Sequence, residues 1–180
     1  PQGATLTEAT VVVTPRTVLN DDDEDISGDR TFLESDWIVG AEQTDDSAKL
    51  ENTVNNISSR STGGTTVTWT VSATDLTTVD NPEESVDIKD VLQDVIDRSG
   101  WCGGNALTLL LSTSSADPNQ TRFLHSRDND STKAPKLKYS YGLSETGCVK
   151  ATETAQTALS GDDAGQLGSS VDVIDNDIAF

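Results

Sequence analysis

The sequence predicts a mainly β fold, a jelly-roll-like antiparallel β-sandwich with one amphipathic helix at about residues 85–98. Three observations indicate this class. Only 33% of the 180 residues are hydrophobic and 4% aromatic, which suits a sandwich of short strands better than a large helical core. Thr-rich runs such as TGGTTVTWTV at 62–71 favour strands. Apolar residues follow a helical period just before Gly100.

Apolar runs between turn residues predict the strands. They are expected at residues 4–13, 37–39, 65–71, 106–111, 122–125 and 136–141. Pro15 ends the first strand, because proline cannot donate to a sheet ladder. Alternation places Val67, Trp69 and Val71 on one buried face, whereas the continuous run at 106–111 predicts a strand covered on both faces. The last strand also alternates, and its inward side chains are Leu137, Tyr139 and Tyr141.

The helix is predicted by apolar residues at intervals of three and four. They are Ile88, Val91, Leu92, Val95 and Ile96. Ser85 or Asp87 can cap its start, and Arg98 with Gly100 suits its end. The polar residues of the opposite face are expected to face water: Lys89, Asp90, Gln93, Asp94 and Asp97. A stripe of this kind can bind a partner, but packing on the chain's own sandwich is the favoured interpretation.

The charge is strongly unbalanced, with 31 acidic against 12 basic residues and a formal net charge of −19. A phosphate backbone would be repelled, so nucleic-acid binding is not expected. Insertion into a membrane is not expected either, because no apolar run approaches the length of a spanning helix. A solvated acidic surface, suited to a saline setting, explains the acidic loops; calcium binding by oxygen ligands is the alternative.

The two cysteines, Cys102 and Cys148, cannot complete a four-ligand zinc site with the single His125. A disulfide between them is the favoured interpretation and two free buried thiols the alternative. The bridge would contribute about 3–4.5 kcal/mol in the chain-entropy model. It implies an oxidising location, extracellular or at the cell surface. A chain that begins at Pro1 and has no Met is expected to be a mature product or part of something longer.

No catalytic motif is present in the sequence, and no catalytic residue is assigned. His125 is expected to pack on a strand or at the surface rather than act as a base, so the chain is predicted not to be an enzyme. Sugar binding needs an exposed aromatic ring. Trp37 is the one candidate, with a place in the core as the favoured alternative; Trp101, at the end of the helix, is expected to plug the core.

Two segments resemble a known kind of module. The run VDIKDVLQDVIDRSGWCGGNALTLLLS at 86–112 and the run FLHSRDNDSTKAPKLKYSY at 123–141 are similar to helix-bearing β-sandwich modules. These modules, of the DNRLRE and carbohydrate-binding-module kind, occur in large secreted bacterial proteins and pilus-tip-like adhesins. Their matching run has a helix ending near RxGW, then SGNAL, then SYDGxxxxAPxLxxxY. The resemblance implies a scaffold rather than a reaction.

The two ends of the chain resemble the same modules in rotated order. PQGATLTEATVVV at 1–13 is similar to an interior strand, and residues 155–180 are loosely similar to the opening strands. The resemblance implies a body (residues 1–142) that lacks its opening strands and a linker at 143–153, pinned by Cys148. Residues 154–180, the tail, would be the opening-strand segment of a neighbouring module or subunit. The chain would then be either an excerpt from tandem repeats or a subunit that donates its tail.

The resemblance also implies where the tail would bind. Four apolar side chains are expected to be buried on the partner: Val171, Val173, Ile178 and Phe180. An acidic pair in the related opening segment places any calcium at Asp162 and Asp163, with Asp172. No other cofactor is expected.

The predicted function is therefore that of a non-catalytic extracellular structural module. It would be a building block of a filament or adhesin array that assembles head-to-tail by donation of its C-terminal strand. The alternative is a carbohydrate-binding module within a larger secreted protein. The expected partners are identical subunits or adjacent repeats, with surface glycans in the alternative case.

Overall fold

A computed structural model of the chain describes residues 3–17, 31–51, 53–101, 105–113, 122–143, 151–156, 165–166, 172–173 and 177–179. The elements are β1 (Ala4–Val13), β2 (Ser35–Ala41), β3 (Val67–Val71), β4 (Glu83–Glu84), α1 (Lys89–Ile96), β5 (Leu109–Thr113), β6 (Phe123–His125), β7 (Lys136–Leu143), β8 (Ala151–Gln156), β9 (Gly165–Gln166), β10 (Asp172–Val173) and β11 (Asp177–Ala179). Within these residues the fold is mainly β with a single short helix, which confirms the predicted class. The jelly-roll order of a sandwich stays a prediction.

The strands form two larger antiparallel sheets. One has the order β4-β1-β7-β8 and the other β3-β2-β5, while β11 pairs with β6 and β10 with β9. Strand β1 is also joined to β6 beyond its own end. There His125 N donates to Thr14 O at 2.8 Å and Arg16 N to Phe123 O at 2.9 Å, on either side of a bridge between Pro15 and Leu124. Pro15 therefore ends the β1–β7 ladder, as predicted, but not all strand pairing.

Both larger sheets and the helix contribute to one hydrophobic cluster. Trp37 of β2 and Trp69 of β3 face each other in register, with ring centroids 5.3 Å apart in an edge-to-face arrangement. Leu137 and Tyr139 of β7 pack against this cluster, as alternation predicted. Trp101 is also buried in it, at 8% exposure.

The helix is shorter than predicted but packs as expected. It spans Lys89–Ile96 rather than 85–98, because Glu83 and Glu84 pair with β1 and the backbone of Ser85 bonds to Val11. Asp87 Oδ1 accepts the amide of Lys89 at 3.0 Å, next to the start of the helix. The apolar stripe is buried in the chain's own core, which confirms the favoured interpretation of its pattern. No helix among the described residues is long and apolar enough to cross a membrane.

Strand β5 differs from its prediction. It runs from Leu109 to Thr113 rather than from 106 to 111, and its leucines are half-buried instead of covered on both faces. The reason is that Leu109 and Leu111 pack on the core, whereas Leu110, on the opposite face, lines a surface groove. The preceding residues pair with a loop instead: Glu42 N donates to Thr108 O at 2.9 Å.

Candidate functional site

Within the single chain, the C-terminal strands pair with the chain's own body; that residues 152–180 lie along a neighbouring copy stays a prediction. Strand β8 is antiparallel to β7, with a register that runs from Tyr141 opposite Ala151 to Lys136 opposite Gln156. Residues 151–153, predicted as linker, are therefore part of a strand. Strand β11 is antiparallel to β6, with Ile178 opposite Leu124. An unpaired strand edge binds the nearest available strand, and a segment of the same chain is always close by.

Most of the other predicted site residues lie outside the described residues. These are Cys102, Cys148, Asp162, Asp163, Val171 and Phe180. Asp172 and Val173 belong to β10, which pairs with β9 through Asp172 opposite Gln166 and Val173 opposite Gly165. In the part of the chain that the structure covers, no group of three or more His, Cys, Asp or Glu side chains could hold a metal ion.

Trp37, the candidate sugar platform, is 1% exposed. Its ring packs on Trp69 inside the core and offers no face to a sugar, so its position matches the favoured alternative. The outer face of the β3-β2-β5 sheet does have an open groove of about 200 Å³. The groove is lined by Ile38, Gly40, Ile57, Ser58, Arg60, Thr62, Thr66, Leu110, Leu111 and Ser112, with no aromatic ring among these residues.

Arg122 holds the start of strand β6 in place. The side chain, at the residue before β6, is fully buried with an exposure of 0%. Its hydrogen bonds go to backbone carbonyl oxygens: Nε donates to Asp75 at 3.2 Å, and Nη2 donates to Leu33 and Ser72, both at 3.0 Å. The guanidinium carbon also lies 4.5 Å from the centre of the Phe32 ring. One buried cation thus ties the loops before β2 and after β3 to the start of β6.

The electrostatics around Arg122 agree with a structural role. Burial lowers the pKa of Arg122, and the negative charges of Asp75 and Glu83 oppose that shift. An arginine stays charged even so, because its pKa starts far above neutrality. Burying this charge is costly, and the three carbonyl oxygens are what offset the cost. The sequence signal for this residue was weak: one charged residue placed directly before an apolar strand.

A polar cluster lies at the far end of β6. His125 is 8% exposed, and its Nδ1 lies 2.5 Å from Asn129 Oδ1 while its Nε2 lies 2.9 Å from Asp80 Oδ1. Lys133 Nζ lies 2.7 Å from the same carboxylate oxygen of Asp80. Asp80 also adopts a left-handed backbone, with φ at 64°, and its amide donates to Pro15 O at 2.9 Å. Both ring nitrogens of His125 are engaged within the protein, so this arrangement holds β6 rather than presenting a base to a substrate.

We expect acid to destabilise the fold by protonating carboxylates that accept hydrogen bonds in the folded state, as Asp80 does. The hydrogen bond from Lys133, followed by that from His125, lowers the pKa of Asp80 below its usual 3.8. Hydrogen bonds from Thr65 lower the pKa of Asp94 in the same way. A lowered folded-state pKa contributes stability that is fully present above pH 3.8 and is lost as the pH falls through the folded value. The melting temperature should therefore fall when the pH is lowered below about 4.

Single variants test whether Asp80 and Asp94 cause this loss of stability in acid. Asp80→Asn and Asp94→Asn should each make the melting temperature depend less on pH in that acidic window. A parent protein whose melting temperature is constant between about pH 6 and pH 3 would contradict the prediction.

Comparisons with known proteins give no match: none to a protein-family model, none among the curated proteins and none among the solved structures.

Proposed function

We propose that this chain is a non-catalytic extracellular structural module that builds a filament or adhesin array. Copies assemble head-to-tail when the C-terminal strands of one copy replace those of the next at the β7 and β6 edges. The observation that carries the proposal is the way the C-terminal strands are joined to the body: β8 is antiparallel to β7, and β11 is antiparallel to β6.

This pairing is the kind that can be exchanged between copies. A strand held at a sheet edge by ladder hydrogen bonds can be replaced by the same strand of another copy. The same antiparallel register is available on the next copy, because every copy presents identical β7 and β6 edges. A head-to-tail contact of this type does not close on itself, so it extends into a filament.

Pairing within one chain competes with pairing between chains. A tethered strand has an effective concentration of roughly millimolar at its own edge. Exchange is therefore favoured where copies are crowded, as in secretion or on a cell surface, and dilute protein stays monomeric. Predicted partners are identical subunits; adjacent repeats of a longer chain would present the same edges.

A competing peptide tests the proposal. A synthetic peptide of residues 151–180, mixed with concentrated full-length chain, should occupy the exchanged edges and shorten the assemblies seen by sedimentation velocity and electron microscopy. A scrambled peptide of the same composition is the control. Assemblies that ignore both peptides, or a chain that stays monomeric at millimolar concentration, would overturn strand donation.

The carbohydrate-binding alternative has less support. Sugar rings stack on exposed aromatic faces, whereas Trp37, Trp69 and Trp101 are all buried. The groove on the outer sheet face offers aliphatic and small polar side chains instead. None of the three tryptophans therefore supplies the platform that this function requires.

The extracellular placement leads to a prediction about the cysteines. Native protein analysed by non-reducing mass spectrometry should contain Cys102 linked to Cys148, because an oxidising compartment converts suitably placed thiols to disulfides. Reduction should lower the free energy of unfolding by about 3–4.5 kcal/mol. Quantitative alkylation of both thiols in native protein would show instead that they are free and would remove this argument for an extracellular location.

A further inference from the structure

The two edges of strand β1 are covered in different ways. One edge pairs with β7 along nearly its whole length. The other pairs with a strand only at Val12 and Val13, which lie opposite Glu84 and Glu83 of β4. The rest of this outer edge is covered by residues 85–93, the segment that leads into α1 and its first turn.

Three residues of this segment, Ser85, Asp87 and Ile88, bond to the edge as a strand would. Ser85 Oγ accepts the amide of Val11 at 2.9 Å, and Ser85 N donates to Val11 O at 2.8 Å. Asp87 Oδ1 accepts the amide of Ala9 at 3.0 Å, and Ile88 N donates to Ala9 O at 2.8 Å. Burial raises the pKa of Asp87, but hydrogen bonds from Lys89 and from backbone amides outweigh it, so that this pKa is lowered and the acceptor stays ionised.

Gln93 completes the cover with its side chain alone. Its Oε1 accepts the amide of Leu6 at 2.9 Å, and its Nε2 donates to Ala4 O at 3.0 Å. A carboxamide has the donor and the acceptor of a peptide group, so it replaces one residue of an antiparallel partner. Nε2 also donates to Asp97 Oδ1 at 2.7 Å. Because a carboxylate only accepts, this contact shows that the NH2 group of Gln93 lies beside Asp97 and Ala4 O and that its oxygen lies beside the amide of Leu6.

We infer that Ser85, Asp87 and Gln93 close the outer edge of β1 against a strand of a second copy. The part of β1 before Val12, unpaired over an apolar core, would otherwise be a template for edge-to-edge association. The partner that fits the edge is β1 of another copy, antiparallel across a two-fold axis, because identical edges are then self-complementary. With the outer edge of β1 closed, a donated strand pairs with the β7 edge of this sheet. That last point rests on the proposed function.

The test opens the edge in the full-length chain. Ser85→Ala combined with Gln93→Ala removes the bonds to Val11 and Leu6, so their amides should exchange with deuterium about tenfold faster in dilute protein. As concentration rises, sedimentation should show a new dimer, and the same amides should regain protection. Asp90→Ala, at an exposed position of the same helix, is the matched control and should change neither quantity.

The outcomes separate this inference from the proposed function. Dimers formed through β1 should persist in the presence of the 151–180 peptide, whereas tail-dependent assemblies should not. Unchanged exchange at Leu6 and Val11 would overturn the closure, and faster exchange without a dimer at any concentration would overturn its role against association. If the double variant does not fold, Gln93→Leu retains the aliphatic stem and should expose Leu6 alone.

Discussion

Proline at two consecutive positions of β8, Glu153→Pro with Thr154→Pro, should strongly weaken self-association while leaving the body folded. Alternate residues of an antiparallel strand point their N–H groups to the partner, so one of two neighbours must donate to β7. Losing that bond, and distorting the strand beside it, should cost the exchanged interface about 2 kcal/mol, or about a thirtyfold weaker association. Sedimentation velocity should then show that assembly begins at about thirtyfold higher concentration than in the parent.

The matched control keeps the backbone donors. Glu153→Ala with Thr154→Ala changes the same side chains but leaves both N–H groups, so it should assemble nearly as the parent does. The near-ultraviolet circular dichroism of the proline variant should stay that of the parent, because Trp37, Trp69 and Trp101 all lie in the hydrophobic cluster of the body. Assembly of the proline variant at parental strength would show that β8 is not the exchanged strand.

Arg122→Leu should produce the largest loss of stability among single substitutions in the described body. It leaves the carbonyl oxygens of Asp75, Leu33 and Ser72 without their donor. We expect the free energy of unfolding to fall by about 3–5 kcal/mol, with denaturant titration as the measurement. The strand pairing at β6 should weaken with it, since Arg122 fixes the start of that strand.

Two further variants identify the cause. Arg122→Lys keeps the charge but lacks the planar fork of donors, so it should fall between the parent and the leucine variant. Lys49→Leu removes a positive charge from an exposed position and should change stability by less than about 0.5 kcal/mol. If Arg122→Leu unfolds at the parental denaturant concentration, the three carbonyl contacts do not stabilise the fold.

Some contacts could not be predicted from the periodicity and composition of the sequence. Gln93 and Asp94 belong to the face of the helix that the pattern assigned to water. Yet Gln93 bonds to Ala4 and Leu6, and Asp94 Oδ2 accepts the amide of Thr65 at 2.6 Å. Polarity in the sequence indicates that a group needs hydrogen bonds, but not whether water or a distant backbone supplies them.

The sequence by itself determined the mainly β class, the apolar stripe of α1 and the inward faces at Trp69 and Leu137. Those features follow from local periodicity. Residues two positions apart share a face of a strand, and residues three or four positions apart share a face of a helix. Only the tertiary structure decided that Arg122 is buried and that residues 85–93 close the edge of β1. It also decided that β8 and β11 pair with their own body. These outcomes depend on backbone groups brought together across long sequence separations, and local pattern carries no information about which edge a distant segment will meet.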